Sequence, residues 1–123
     1  MSTSAQQALG TTVQQAPGIK RTDLQEHDLS IPGHMIIQNR VELGPEAHPF
    51  RHWHPGEEII YVLQGTLEYT IDGVGVKTYS AGDAFMVPAE TIHSVKNVGD
   101  GPGAELATYV VEKGKPFLVL VDD

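Results

Sequence analysis

The chain contains no cysteine, which excludes disulfides, thiolate metal ligation and thiol nucleophiles together; any metal must be held by nitrogen and oxygen. It also lacks any run of Lys or Arg longer than two residues, and its net charge is −8 with the histidines neutral. A phosphate backbone or an anionic membrane surface would find nothing to attract it, so no nucleic-acid partner and no membrane partner are expected. No stretch approaches the roughly 20 apolar residues of a membrane span, and the N-terminus has neither the basic start nor the apolar middle of a secretory signal. A cytoplasmic location is the expectation.

What remains is an ordinary globular composition, 40% hydrophobic and 20% charged, with 13 Gly and 8 Pro that call for many turns. A length of 123 residues fits one domain with a modest core. Residues 1–16 are rich in Ser, Thr, Gln and Ala, a composition that cannot offset its ordering entropy by burial, and are expected to form a flexible, disordered tail. Residues 17–123 are expected to form the single domain. Pro17 to Asp28 is polar, with Leu24 as its one clear apolar anchor.

From Met35 onward the pattern is that of strands closed by turns. The second half of Met35 to Leu43 alternates and ends at Gly44-Pro45; Ile59 to Leu63 runs to Gly65; Thr66 to Ile71 alternates strictly and meets Asp72-Gly73, a hairpin signal that demands positive φ. Val74 to Tyr79 returns from that hairpin. Phe85 to Val87 stops at Pro88, and Ile92 to Asn97, Ala104 to Glu112 and Phe117 to Val121 follow. Short strands at this spacing predict an all-β antiparallel sandwich or barrel, and no helical stripe is long enough for a βαβ unit.

His52 and His54 lie two apart in an extended segment, so their side chains leave one face about 6–7 Å apart and can converge on one ion. Pro55-Gly56 supplies a turn, and Glu58 is expected on a returning antiparallel strand that carries its carboxylate to the same ion; Glu57 has the opposite parity. His93 on a later strand adds a third nitrogen. Three neutral imidazoles and a carboxylate suit a borderline first-row divalent cation. His27 and His34 precede this pattern and read as solvated or locally hydrogen-bonded, His48 as a loop residue at the entrance, and Trp53 as an outward residue for packing or a subunit contact.

These residues resemble the cupin superfamily, specifically its small single-domain members. Its first motif reads here as His52, His54, Glu58 and Gly65, and its second as Gly82-Asp83, Pro88, His93 and Asn97. The departures are Glu90, where the family usually has Gly, and a longer run from Gly44 to His52. The resemblance implies a double-stranded β-helix, or jelly roll, around one divalent metal ion (Fe, Mn, Ni, Zn or Cu) with open coordination positions. It implies a small-molecule ligand or substrate, and activities that include dioxygenase-like cleavage, isomerisation and lyase chemistry, with non-catalytic ligand binding or sensing as the alternative. A homodimer follows from the same resemblance and from the apolar run Phe117 to Val121. Carrying the ligand parity along the strands predicts Ile60, Val62 and Val95 as cavity walls, with Gln38 and Arg40 on a shared face as possible polar contacts. The resulting apolar pocket suits a small neutral or weakly acidic molecule.

Overall fold

The alternation of apolar and polar residues becomes alternation of burial. Along the strand His34–Leu43 every odd residue from Met35 onward is buried and every even one is half-buried. The computed structural model describes residues 12–121, with side chains from Ala16 onward. The regular elements among them are strands: β1 (Thr12–Ala16), β2 (Ile19–Asp28), β3 (His34–Leu43), β4 (His52–Trp53), β5 (Glu58–Gln64), β6 (Thr66–Ile71), β7 (Gly75–Ser80), β8 (Ala84–Val87), β9 (His93–Asn97), β10 (Gly103–Glu112) and β11 (Val119–Leu120). They form two antiparallel sheets, one ordered β1-β2-β3-β10-β5-β8 and the other β11-β4-β9-β6-β7. This is an all-β, two-layered architecture, as the alternation and turns predict.

Between the sheets lie Leu43, Ile60, Val62, Leu67, Tyr69 and Val87, all nearly inaccessible, each worth roughly 1.5–3 kcal/mol of burial. A smaller cluster of Met35, Ile37, Ala107 and Tyr109 continues the interior. The hairpin between β6 and β7 turns through Asp72-Gly73, with Gly73 at φ +82° and Val74 N–H donating to the Ile71 carbonyl at 3.0 Å.

The N-terminal region departs from the sequence expectation. Its polar stretch forms the ten-residue β2, because β3 offers a long ladder edge and main-chain hydrogen bonds need no apolar pattern. Ile19 is its buried anchor, whereas Leu24 is 40% exposed, since a bulge between Asp23 and Gln25 takes it out of register. Thr12–Ala16, expected within the flexible tail, pair with β2 as β1; the expectation for residues 1–11 lies outside the described residues. Of the apolar C-terminal run, only Val119–Leu120 is strand, paired with β4.

Candidate metal centre

The chain changes sheets at the site. β4 belongs to the five-stranded sheet, and after His54-Pro55-Gly56-Glu57 the chain enters β5 of the other sheet at Glu58. The expected pairing of the two strands is therefore corrected. β4 pairs with β9, β5 pairs with β10 and β8, and Glu58 meets the histidines across the interior rather than across a ladder. A Cβ at Gly56 would lie 1.8 Å from the Val110 carbonyl oxygen, so only glycine lets this crossing pack against β10.

His52 is in register with His93, and their ring centroids are 4.2 Å apart. The turn before His93 is tied to the first motif by the Glu90 N–H, which donates to the His54 carbonyl at 2.8 Å. Glu90 holds φ +60°, a left-handed conformation that suits glycine, so the departure from the family residue leaves a strained backbone position and an intact ligand.

His52, His54, His93 and Glu58 are all buried, and the nearest donor atoms of the three histidines lie within 4.8 Å of one another. Each imidazole is held through Nδ1 by a backbone carbonyl: His52 to Phe50 at 3.1 Å, His54 to Phe117 at 2.8 Å and His93 to Thr91 at 2.9 Å. A carbonyl only accepts, so each Nδ1 carries hydrogen, and a ring in its neutral form turns an Nε2 lone pair inward. Glu58 Oε1 is 3.1 Å from His93 Nε2 and 3.5 Å from His54 Nε2, and the latter, though buried, has no hydrogen-bond partner. A cation would satisfy the unpartnered His54 Nε2 and replace the proton between His93 Nε2 and Glu58, and this donor set fits a divalent transition metal.

The electrostatics agree. Burial, and then the neighbouring His93, lower the His52 pKa to about 4; burial likewise lowers His54. Both rings are neutral at physiological pH, the form in which imidazole binds a metal. Burial works to raise the Glu58 pKa, but the His93 hydrogen bond and the adjacent His54 outweigh it and keep the carboxyl below its ordinary range.

A partly open cavity of about 30 Å³ lies beside these four residues, space for an ion and a water or two. Val95 lines it, with Phe50, Val41, Leu43 and Leu118. Ile60 and Val62 point inward but pack in the core. Gln38 and Arg40 are corrected: the buried face of β3 is the odd one, and they face outward, Gln38 bonding Gln25 and Thr108 and Arg40 pairing with Glu42. The inward side of the neighbouring strand instead holds Arg21, in register with Val41 and paired to Asp23 at 2.9 Å. His27, His34 and His48 are outside the site, the first two bound locally to Gln25 and the Pro32 carbonyl, and Trp53 is half-buried on the opposite side from the ligands. Asn97 is buried as its parity implies, and it secures a loop by donating to the Leu43 and Gly101 carbonyls.

Tyr69, Glu105 and Tyr109, which sequence reasoning did not single out, form the remaining polar wall. The signal was the parity of β10, where Gly103, Glu105, Ala107 and Tyr109 share a face. The opposite face of β10 carries Leu106 and Val110 and is the more apolar, so an apolar-inward rule chooses the wrong side. Burial, and then the Glu58 charge, raise Glu105 to about 8. Burial pushes both tyrosines well above their ordinary value.

A two-sheet β-fold enclosing a buried three-histidine group that could hold a metal ion defines the class. Residues 39–111 match the cupin domain model, and the chain belongs to the cupin family. Among curated proteins it is 35% identical over 79 residues to germin-like protein 5-1 of Oryza sativa, covering 60% of this chain and 36% of that one. It is 40% identical over 52 residues to the polyketide synthase CurC of Streptomyces cyaneus, covering 40% and 32%. The chain thus spans about a third of the length of these relatives. Among solved structures, KdgF from Halomonas sp. superposes with a TM-score of 0.67 at 23% identity, covering 85% of this chain and 88% of that one. An RmlC-like cupin from Shewanella frigidimarina gives 0.67 at 24%, covering 85% and 86%. These likenesses show the fold.

Proposed function

We propose that this cupin is a metal-dependent enzyme acting on a small molecule, with one divalent transition metal held by His52, His54, His93 and Glu58. The observation that carries the reading is the convergence of three carbonyl-locked imidazoles and a carboxylate on a point where His54 Nε2 has no hydrogen-bond partner. A divalent ion there supplies Lewis-acid or redox chemistry of the oxygenase, isomerase or lyase kind. The chain's own residues do the rest. The Phe50, Phe117 and Thr91 carbonyls fix the ring directions, Glu58 offsets positive charge, and Phe50 and Leu118 supply apolar wall. Tyr69, Glu105 and Tyr109 present the polar groups that a ligand meets. The Phe117 carbonyl ties the C-terminal segment to His54, so a substrate larger than a few atoms enters by displacing that segment.

Elemental analysis of anaerobically purified protein, followed by oxygen consumption and product analysis against small phenols, dicarbonyls and hydroxy acids, tests this. Stoichiometric metal with turnover supports it, and protein that takes up no metal from a mixture of divalent ions sinks it. Non-catalytic binding is the second reading, favoured by the small cavity; metal with ligand-induced stabilisation and no turnover selects it.

The same proposal includes a homodimer, through a different surface from the one the sequence suggested. Phe117 and Leu118 pack towards the site, whereas Ile59, Tyr61 and Leu63 on β5 and Met86 on β8 are exposed together on the outer face of the six-stranded sheet. A sheet that is apolar on both faces needs cover on both. Tyr61→Glu should convert a dimer to monomer in light scattering, and a wild-type monomer at micromolar concentration rejects the assignment. A cytoplasmic location stays part of the proposal; no helix among the described residues is long and apolar enough to cross a membrane.

A further inference from the structure

The far wall of the cavity carries a carboxyl group that metal binding leaves unused. Glu105 is 3% exposed, and its register neighbours are Val41 on β3 and Val62 on β5, so no cation flanks it along the sheet. From the opposite sheet the Tyr69 hydroxyl donates to Glu105 Oε1 at 2.5 Å, and Tyr69 is itself 1% exposed. The other titratable groups around it are Glu58 on β5, His93 on β9 (stacked on Tyr69 with centroids 6.3 Å apart), Tyr109 on β10, and Arg21 on β2, which Asp23 engages. Among the described residues none gives Glu105 a positive partner.

An unpaired carboxylate this deep costs far more than a carboxylic acid, so in the metal-free protein the group is held neutral, by burial first and the Glu58 charge second. Because Tyr69 donates to Oε1, the acid proton belongs on Oε2. A glutamine would tie the two sheets through the same Tyr69 bond, so the tie alone does not call for an ionisable group. Charge balance does. A divalent ion, ionised Glu58 and three neutral imidazoles leave one positive charge uncompensated in a buried space. Ionised Glu105 would compensate it and repel anions. Protonated Glu105 leaves that charge to a ligand and offers it a hydrogen-bond donor.

Resting on the metal reading above, we propose that Glu105 makes the cavity selective for a small monoanionic carboxylate, which binds at the ion, accepts the Glu105 hydrogen bond and takes up a proton with it. The cavity limits the ligand to a few heavy atoms. Binding and protonation are linked, so each strengthens the other by the same factor. Glu105 makes no hydrogen bond to any of the four ligand side chains; its partner is Tyr69.

The test is a titration of Co2+-loaded protein with formate, the smallest carboxylate, read by the visible spectrum of the ion between about pH 6 and 9. Wild-type affinity is expected to fall more steeply with rising pH than that of Glu105→Gln, by up to about tenfold per pH unit. Glu105→Gln should keep its cobalt spectrum and show only the shallower dependence that hydroxide competition imposes on both proteins. Calorimetry at about pH 9, where Glu105 has lost its proton before formate binds, in buffers of different ionisation enthalpy should show proton uptake with formate in the wild type. Should Glu105→Gln not fold, that measurement decides, and absence of uptake overturns the proposal. Parallel pH curves for the two proteins, or formamide binding as tightly as formate, also overturn it. Protein that acquires no cobalt spectrum overturns the metal reading itself, a result distinct from a cobalt-loaded protein whose formate affinity ignores Glu105.

Discussion

The two ends of the cavity are built on different rules. At one end His52, His54, Glu58 and His93 are framed by turns, and each imidazole is held through Nδ1 by a carbonyl, two residues away for His52 and His93 and on the C-terminal Phe117 for His54. At the other end Glu105 and Tyr69 come from different sheets, 36 residues apart, and meet through a single hydrogen bond. The first end is an arrangement of acceptors, each ring locked by a main-chain carbonyl, that calls for a cation. The second is a long-range meeting of protonated oxygens that presents hydrogen to a ligand. A cavity with acceptors at one end and donors at the other can orient a small polar molecule, which neither end could do alone.

The sharpest way to break the comparison is at the histidine end. His93→Ala, His52→Ala and His54→Ala should each lower metal affinity by about a hundredfold or more, measured as metal retained after gel filtration. His27→Ala and His34→Ala should leave it unchanged, because their rings are bound locally outside the site. Equal retention by all five variants would dissolve the distinction between the ends. A smaller effect is expected from Glu58→Gln, about tenfold in metal affinity, while exposed Glu57→Gln should change stability by less than about 0.5 kcal/mol. The reverse order in a metal competition assay would mean that the crossing after His54 is misplaced.

Acid and base separate the two ends in the metal-free protein. His52 has a folded pKa near 4 against an ordinary 6.5, so the unfolded chain holds the proton more tightly in that window. Stability should be full above pH 6.5 and fall as the pH drops towards 4, by on the order of 3 kcal/mol. Glu105 runs the other way. Raised from 4.5 to about 8, it contributes most below pH 4.5, and that contribution is lost as the pH rises through 8. Urea midpoints against pH should therefore show an alkaline decline in the wild type that Glu105→Gln removes while leaving the acid decline in place. A variant that flattens both limbs, or neither, would show that the ends do not titrate separately.

The smallest effect is expected in the turn that serves the histidine end. Glu90 is exposed and sits at φ +60°, so Glu90→Gly should stabilise the fold by about 1 kcal/mol, read as a higher denaturant midpoint with unchanged metal affinity. A loss of stability would mean that the Glu90 side chain holds the turn through contacts of its own.

What could be read from the chain alone follows the same division. The strands from β3 to β10, the Asp72-Gly73 hairpin and the four ligand candidates were legible because each depends on a period of two, a turn residue or a short spacing, all local properties. β2 was not legible, because its ladder with β3 satisfies main-chain groups whatever the side chains are, and the bulge that turns out Leu24 leaves no mark in composition. Gln38 and Arg40 were placed inward because parity fixes which residues share a face and not which face is buried.

By itself, then, the sequence determined the class of fold and the three-histidine group, since alternation, turn chemistry and the absence of cysteine act on each segment independently of the rest. The tertiary structure alone decided that β4 and β5 part into opposite sheets, that the less apolar face of β10 turns inward, and that Tyr69 closes on Glu105. Those outcomes depend on which sheet covers which face, and that is settled only when all the strands bury their surfaces against one another.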